Sequence, residues 1–376
     1  MKILVPMGTR PEIVKLAPVV QALRAKAGLE VMTVATGQHY DRSLTNVFYE
    51  ELGLHIDVTW KLEGDEATRL GAMMTSALAE IDAAAPSLVL LLGDTYTVPV
   101  FCLAARRHAV PVAHIEAGLR SFNPTSMEEV NRRTAAALAS LHLAPTSLAA
   151  RFLEQEGVPR ERVKVVGNPV IDVLRQAGVE ACPPRERRGV VLTAHRPTNV
   201  DDPARLAQLV EILRTLANRL APVTFPVHPR TRSRLLEAGA LATLEGEQGL
   251  RLTEPLPYEE MLALMSRSQV VVTDSGGLQE EASWLGIPTV VLRRSTPRWE
   301  GVKAGAAVLT GLDVDCTVDA AIRLASAAEQ ARVWAIACPY GDGHTAERIA
   351  ATLTDPAVTN LLRFEEPDFT VCAPPC

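Results

Sequence analysis

The segment HIEAGLRSFNPTSMEEVNRR, residues 114–133, brings acids and arginines together at the end of an apolar run. Glu116 follows that run directly. A glutamate is a poor helix cap and is costly to bury, so its place favours a functional role over a structural one. Further on, the segment holds two acids and two arginines at i,i+4 spacing: Glu128, Glu129, Arg132 and Arg133. Taken alone, those pairs fit a salt-bridged first turn of a helix.

Polar side chains follow other apolar runs in the same way. Asp94 comes after SLVLLLG, where it also fits a helix cap, and His195 and His228 end two successive runs. Near the start of the chain, GTRPE supplies Arg10, and Lys15 lies one helical turn further on. Together with the amides of a helix start, these cations could bind an anion. A tight turn with a surface arginine and lysine would fit this spacing equally well.

The segment VVVTDSGGLQEEASWLGIP, residues 270–288, gives the strongest single signal of a binding site. A β-branched run reaches Ser275, Gly276 and Gly277 and then opens a helix. Two glycines allow a ligand to approach the backbone, and a helix start presents amides to a phosphate. Glu281, inside that helix, is placed to meet the hydroxyls of a ribose. The pattern predicts a binding site for a nucleoside diphosphate. The alternative is a structural glycine-rich turn with Glu281 on a solvated face of the helix.

Strands and helices alternate along the chain and position these residues. Short apolar runs separated by helix-like stretches predict an α/β fold of doubly wound parallel sheets. The alternation is interrupted by AGVEACPPRERRG, residues 177–189, which is rich in Pro, Gly and charged residues and is interpreted as a linker. The alternation resumes after it. We therefore predict two Rossmann-like domains, residues 1–176 and 189–342, followed by a last helix at about 343–364. Ligands bind at the carboxyl ends of strands in such sheets, so the two sets of loops would face one central cleft.

Composition limits the class of protein. Of the 376 residues, 47% are apolar and 22% charged, which is typical of a soluble globular chain. A net charge of −6 gives no general attraction to nucleic acid or an acidic membrane. An apolar stretch of about 20 residues is absent, so no membrane span is predicted. The six cysteines are scattered without a zinc pattern, which indicates free thiols in the cytoplasm and no metal site.

The motifs together resemble a known family. The motifs are GTRPE, GDT, HIEAGLRS, EEVNRR, GNPVID, TAHR, PVHP, TDSGGLQEEA and PYGDGHTAERI. They occur in the order found in the non-hydrolysing UDP-N-acetylglucosamine 2-epimerases and extend over nearly the whole chain. The resemblance implies the glycosyltransferase-B architecture, with the helix near 343–364 packed back on the first domain. It also implies a cytoplasmic homodimer that interconverts UDP-GlcNAc and UDP-ManNAc without a redox cofactor.

The chemistry of that family accounts for the acids. The sugar C2 proton is not acidic, and breaking the C1–O bond first makes its loss feasible. UDP leaves, 2-acetamidoglucal forms, and UDP adds back with the proton delivered to the opposite face of C2. By resemblance the catalytic groups are Asp94, Glu116, Glu128 and His195, with the step of each acid left open. The UDP-binding positions implied by the resemblance are Arg10, Lys15, His228, Ser275, Gly276, Gly277 and Glu281.

The chain departs from the family pattern near a second, activating UDP-GlcNAc site. Gln38 and His39 match part of that site, but residues 63–71 lack the family's glutamine, and Pro197-Thr198 replaces Arg-Glu. These departures predict loss of activation by substrate. They also leave open a UDP-GlcNAc derivative modified at C3 or C6. A hydrolysing 2-epimerase, a retaining glycosyltransferase of the same fold and an inactive sugar-nucleotide sensor are the other readings of the motifs.

Overall fold

The computed structural model describes residues 1–37, 49 and 52–364. Gln38 and His39, two residues expected at a second site, lie outside this part of the chain. Within it, no helix combines the length and the apolar character needed to cross a bilayer.

A seven-stranded sheet forms the first part of the described chain. Its strands are β1 Lys2–Met7, β2 Glu30–Ala35, β3 Val58–Thr59, β4 Leu88–Leu92, β5 Val112–Ile115, β6 Leu141–Ala144 and β7 Val163–Val165. They are parallel and lie in the order β3-β2-β1-β4-β5-β6-β7. Ile3 and Val5 belong to one buried cluster and Leu4 to another, so both faces of β1 are covered. Burial on both faces explains why the strand sequence is continuously apolar.

Five described helices lie between successive strands of this sheet in the chain: α1 Arg10–Arg24, α2 Glu66–Ala84, α3 Thr97–Arg107, α4 Met127–Leu138 and α5 Ser147–Gln155. A one-turn 3₁₀ helix, Arg160–Arg162, precedes β7. The sequence signals for these helices are local. Thr9 and Glu12 form a capping box at the start of α1, and Asp65 accepts a hydrogen bond from the Thr68 amide at the start of α2.

A six-stranded parallel sheet lies in the second part of the described chain. Its strands are β8 Val190–Thr193, β9 Val223–Pro226, β10 Leu250–Thr253, β11 Val270–Thr273, β12 Thr289–Val291 and β13 Ala307–Leu309. Their order is β10-β9-β8-β11-β12-β13. Val190 and Leu192 pack in one cluster and Val191 in another, so this sheet is also covered on both faces. The predicted α/β class with two parallel sheets is confirmed.

The helices around the second sheet follow in chain order, with a short 3₁₀ helix at Pro184–Glu186: α6 Pro169–Ala177, α7 Pro197–Val200, α8 Pro203–Arg219, α9 Pro229–Glu237, α10 Leu241–Glu245, α11 Tyr258–Ser266, α12 Gly276–Trp284, α13 Trp299–Lys303, α14 Val314–Ala325 and α15 Ala327–Trp334. Helix α12 starts directly at the glycine pair. Gly276 and Gly277 are therefore the first two residues of a helix, as the anion-binding reading of the motif requires.

The described chain ends with two helices, α16 Thr345–Thr354 and α17 Pro356–Leu361. Sequence patterning predicts a single helix here. Asp355 is extended and caps α17, and Pro356 occupies its first turn, so the helix is interrupted. Ile349 and Leu353 of α16 share a buried cluster with Leu16 of α1.

The chain divides into two compact units. The first contains Met1–Leu119, Pro124–Pro169 and the described residues from His344 onward, and the second contains Arg120–Asn123 and Val170–Gly343. The sequence-based boundary placed residues up to 176 in the first domain, whereas the structure groups most of α6 with the second unit. The physical reason is packing, because Val170 and Leu174 of α6 lie in one buried cluster with Leu262 and Tyr340.

Candidate active site

The first unit gathers three predicted site residues at one edge of its sheet. Strands β1, β4 and β5 are neighbours, and their carboxyl ends lead into Arg10, Asp94 and Glu116. Parallel strands end at a common edge, so residues distant in sequence are brought together there. The result is an edge that carries carboxylates and cations.

Glu116 is buried in a strained conformation. It has a φ of +63°, which places a non-glycine residue in the left-handed region, and only 4% of it is exposed. The Nζ of Lys15 lies 2.5 Å from its Oε1, and Asn168 donates a hydrogen bond to the same oxygen at 3.1 Å. Such backbone strain persists where surrounding contacts hold it, and it concentrates at functional sites. The structure therefore holds this carboxylate in one fixed direction.

Asp94 and the acids of α4 form a second network. Arg132 forms an ion pair with the Asp94 carboxylate, and its Nη2 donates to Glu129 at 2.8 Å. Glu129 also lies 3.4 Å from the Nε of Arg133, so it serves as a structural anchor for two arginines. Glu128 accepts a hydrogen bond from Ser126. Of the two i,i+4 pairs expected on α4, the structure shows Glu129 with Arg133, whereas Arg132 pairs with Glu129 and with Asp94, a contact that sequence spacing did not predict.

Glu12 is an acid that sequence reasoning passed over. Its Oε2 accepts hydrogen bonds from the amides of Gly8 and Thr9 at 2.7 and 2.8 Å, and its Oε1 accepts one from the Thr95 hydroxyl. Burial raises the pKa of Glu12 above its ordinary value. The hydrogen bonds lower this pKa in part, and the negative charge of Asp94 raises it slightly further. The spacing of Thr9 and Glu12, a capping box, was the signal in the sequence.

Glu12 alters the expected anion site at the start of α1. Amides of the turn were expected to hold a phosphate together with Arg10 and Lys15. In the structure the amides of Gly8 and Thr9 donate to Glu12, and Lys15 is ion-paired with Glu116. Arg10 is the exposed cation of this turn.

The second unit has its own cluster at the carboxyl ends of adjacent strands. Strands β9, β8 and β11 lie side by side and lead into His228, His195 and the turn that begins with Asp274 and Ser275. The sheet order thus places the two histidines that follow apolar runs at the same edge as the glycine turn.

His195 is oriented by Asp274. Its Nδ1 lies 3.0 Å from Asp274 Oδ1, so the neutral ring donates there and leaves Nε2 as an acceptor. Asp274 is fully buried and also accepts from the Arg196 amide at 2.9 Å and from Asn199 at 3.1 Å. Burial alone would raise the pKa of Asp274, but hydrogen bonds from His195 and from backbone amides lower it below the ordinary value. Asp274 stood in the quoted motif, yet sequence reasoning gave it no role.

His228 takes the opposite tautomer. Its Nδ1 accepts a hydrogen bond from the Arg230 amide at 3.2 Å, so the neutral ring carries its proton on Nε2. Burial, and then the neighbouring His195, lower the pKa of His228, which favours this neutral form. The two ring centroids are 5.3 Å apart. The pair therefore offers one proton acceptor and one proton donor side by side.

The glycine turn lies beside charged side chains, at distances that a Cβ would meet as ordinary contacts. A Cβ on Gly276 would lie 3.4 Å from the guanidinium carbon of Arg298, and one on Gly277 would lie 3.8 Å from Glu281 Oε1. Arg298 forms a buried ion pair with Glu280 at 2.9 Å. The structure thus adds a cation beside the turn that the sequence did not indicate.

Ser275 and Glu281 complete the described part of this cluster. The Ser275 side chain caps α12 by accepting from the Leu278 amide at 3.5 Å. Glu281 is buried. The pKa of Tyr258 is raised, mainly by burial of the tyrosine and then by the nearby Glu281 carboxylate. Across the residues that the structure describes, no group of three or more His, Cys, Asp or Glu side chains could hold a metal ion.

Comparison with known proteins identifies the family. Residues 21–354 match the sequence profile of the UDP-N-acetylglucosamine 2-epimerases. The UDP-N-acetylglucosamine 2-epimerase of Methanocaldococcus jannaschii is 34% identical over 370 residues, covering 94% of this chain and 99% of the relative. The chain therefore belongs to the UDP-N-acetylglucosamine 2-epimerase family, a family of isomerases.

Two further similarities bear on fold and substrate. The crystal structure of the M. jannaschii enzyme in complex with UDP-GlcNAc and UDP has a TM-score of 0.83 at 33% identity, covering 94% of this chain and 99% of that one. The UDP-2,3-diacetamido-2,3-dideoxy-D-glucuronate 2-epimerase of Pseudomonas aeruginosa is 36% identical over 334 residues, covering 85% of this chain and 91% of the relative. The first similarity supports a two-domain fold of the glycosyltransferase-B type.

Proposed function

We propose that this chain reversibly epimerises C2 of UDP-N-acetylglucosamine, giving UDP-N-acetylmannosamine, by eliminating and re-adding UDP. The observation that carries the proposal is the coupling of His195 and the glycine turn through Asp274. Asp274 orients the imidazole, and the next residue in the chain, Ser275, caps the helix whose first amides would meet a diphosphate. A proton-transfer group beside a diphosphate site suits a reaction in which the bond to UDP breaks.

The residues of the first unit would serve the sugar carbon. Loss of the C2 proton and its return to the opposite face require acid/base groups, and Asp94, Glu116 and Glu128 are the candidates. Lys15 and Asn168 hold Glu116 in place, so its direction is preorganised before substrate binds. Arg10 would steady the departing diphosphate, with Glu281 on the ribose and His228 donating a proton from Nε2.

A second candidate function is epimerisation of a derivative modified at C3 or C6. It is favoured by the similar identity, 34% and 36%, to relatives named for UDP-N-acetylglucosamine and for a diacetamido-glucuronate derivative. Proton-transfer groups at C2 would be the same for both sugars. The substituents at C3 and C6 therefore decide between the two.

One experiment tests these alternatives together. The protein is incubated in D₂O with UDP-GlcNAc, or separately with UDP-2,3-diacetamido-2,3-dideoxyglucuronate, and NMR follows deuterium at C2. We expect deuterium at C2 and formation of UDP-ManNAc from UDP-GlcNAc. Exchange with the glucuronate derivative alone would favour the second function. Free ManNAc with UDP would indicate a hydrolysing enzyme, and absence of exchange with either sugar would contradict both proposals.

The proposal extends to the cytoplasm as location, to a homodimer and to the absence of activation by a second substrate molecule. By the family resemblance, Pro197-Thr198 replaces Arg-Glu. Loss of an arginine from an anion site removes about 1.5–3 kcal/mol. That is comparable to a typical allosteric coupling of about 1–3 kcal/mol. We expect pure UDP-ManNAc to react without a lag. Activity that appears only after trace UDP-GlcNAc is added would contradict this.

A further inference from the structure

Side chains from several elements fix the backbone of the loop after β4. His114 Nε2 lies 2.8 Å from the Gly93 carbonyl oxygen, and the Thr95 hydroxyl donates to Glu12. From α4, Asn131 Nδ2 donates to the Asp94 carbonyl at 2.8 Å. These contacts hold the peptides around Asp94. The direction of its carboxylate depends on its own side-chain contacts.

Arg132 is built to set that direction. It is 2% exposed, whereas 27% of the Asp94 side chain is open to solvent. Its Nη1 donates to the Asp94 carboxylate, while Nη2 and Nε donate to Glu129 Oε2 at 2.8 and 3.3 Å. A planar guanidinium anchored at one edge presents its remaining donors in fixed directions. Asp94 therefore meets a rigid, buried donor rather than a mobile surface cation.

We propose that Arg132 is a positioning residue that fixes the Asp94 carboxylate for proton transfer, with Glu129 as its anchor. The inference rests on the proposed function, because Asp94 needs a defined direction when it acts on a carbon-bound proton of the sugar. A salt bridge that merely joins α4 to the loop would support the fold without affecting the chemical step selectively. The two roles differ in what a conservative substitution does.

Arg132→Lys tests the role, because lysine keeps the charge but cannot bridge both carboxylates as a rigid fork. We expect kcat for C2 exchange to fall by about 10- to 100-fold through misplacement of Asp94, with UDP affinity unchanged. In the Asp94→Asn background, the same lysine substitution should add little further loss, since its target is gone. Arg133→Lys is the matched control. It lies on the same helix, contacts Glu129 and is 49% exposed, and we expect full activity from it.

The outcomes separate the proposals. Full kcat for Arg132→Lys, or an equal further loss in the Asp94→Asn background, would overturn the positioning role while the epimerase function stands. A wild-type protein without C2 exchange would overturn both. If Arg132→Lys does not fold, Glu129→Gln supplies the same cycle by weakening the anchor. Near-additive loss with Asp94→Asn in that series would likewise overturn the role.

Discussion

Replacing Asp274 with asparagine tests the orientation of His195. The carboxylate accepts from His195 Nδ1 on one oxygen, and from Asn199 and the Arg196 amide on the other. An asparagine best satisfies the latter donors with its carbonyl oxygen, which turns its NH₂ group toward His195 Nδ1. That nitrogen must then accept, so the ring proton moves to Nε2 and the proton acceptor is lost.

The expected effect follows from the value of general acid–base catalysis. Losing such a group costs about 10²–10⁴-fold in kcat, or about 2.7–5.5 kcal/mol at 1.36 kcal/mol per tenfold. We expect this loss with UDP affinity retained, measured by C2 exchange and calorimetry, and a reversed imidazole tautomer by ¹⁵N NMR. Asp201→Asn is the control, because that aspartate pairs with Arg230 at the surface, where ion pairs contribute little. An Asp274→Asn enzyme with near wild-type kcat would refute the orienting role.

Three other predictions concern the acid, the glycine turn and pH. Glu116→Gln should retain UDP binding and lose about 10²–10⁴-fold in kcat, because the group that Lys15 holds can no longer exchange a proton; near-full activity would remove it from the mechanism. Gly276→Ala should fold, yet bind UDP about 10- to 100-fold more weakly through loss of one charge-assisted contact. The control Gly246→Ala should bind UDP as tightly as the wild type, and calorimetry measures both affinities. His228 should titrate below 6.5 by NMR, because burial and His195 depress its pKa. Its contribution to stability should therefore be present above about pH 6.5 and be lost as pH falls through the folded value; a midpoint above 6.5 would contradict this.

The strand-end residues could be predicted because buried parallel strands have continuously apolar sequences. A polar residue at the end of such a run, such as Asp94, Glu116 or His195, is visible without knowing which strands are neighbours. The glycine turn was equally visible, because Gly276 and Gly277 directly follow a β-branched run and open α12.

The partners of these residues could not be predicted, because they come from distant parts of the chain. Asp274 reaches His195 across 79 residues, and Lys15 reaches Glu116 across 101. Spacing and the family resemblance pointed to Lys15 as an anion ligand, and in the fold its Nζ pairs with the buried carboxylate of Glu116. The grouping of most of α6 with the second unit has a similar cause, since α6 packs on Leu262, which is distant in the sequence.

Deuterium at C2 is the most direct measure of the central claim, that this chain breaks and remakes the C2–H bond of a UDP-sugar. UDP-GlcNAc is incubated with the protein in D₂O, and both sugar nucleotides are examined by NMR. We predict UDP-ManNAc carrying deuterium at C2, formed together with exchange into the remaining UDP-GlcNAc. UDP-ManNAc that retains the original C2 proton would contradict the account, because the proton-transfer roles of the acids and His195 would then have no chemical step to serve.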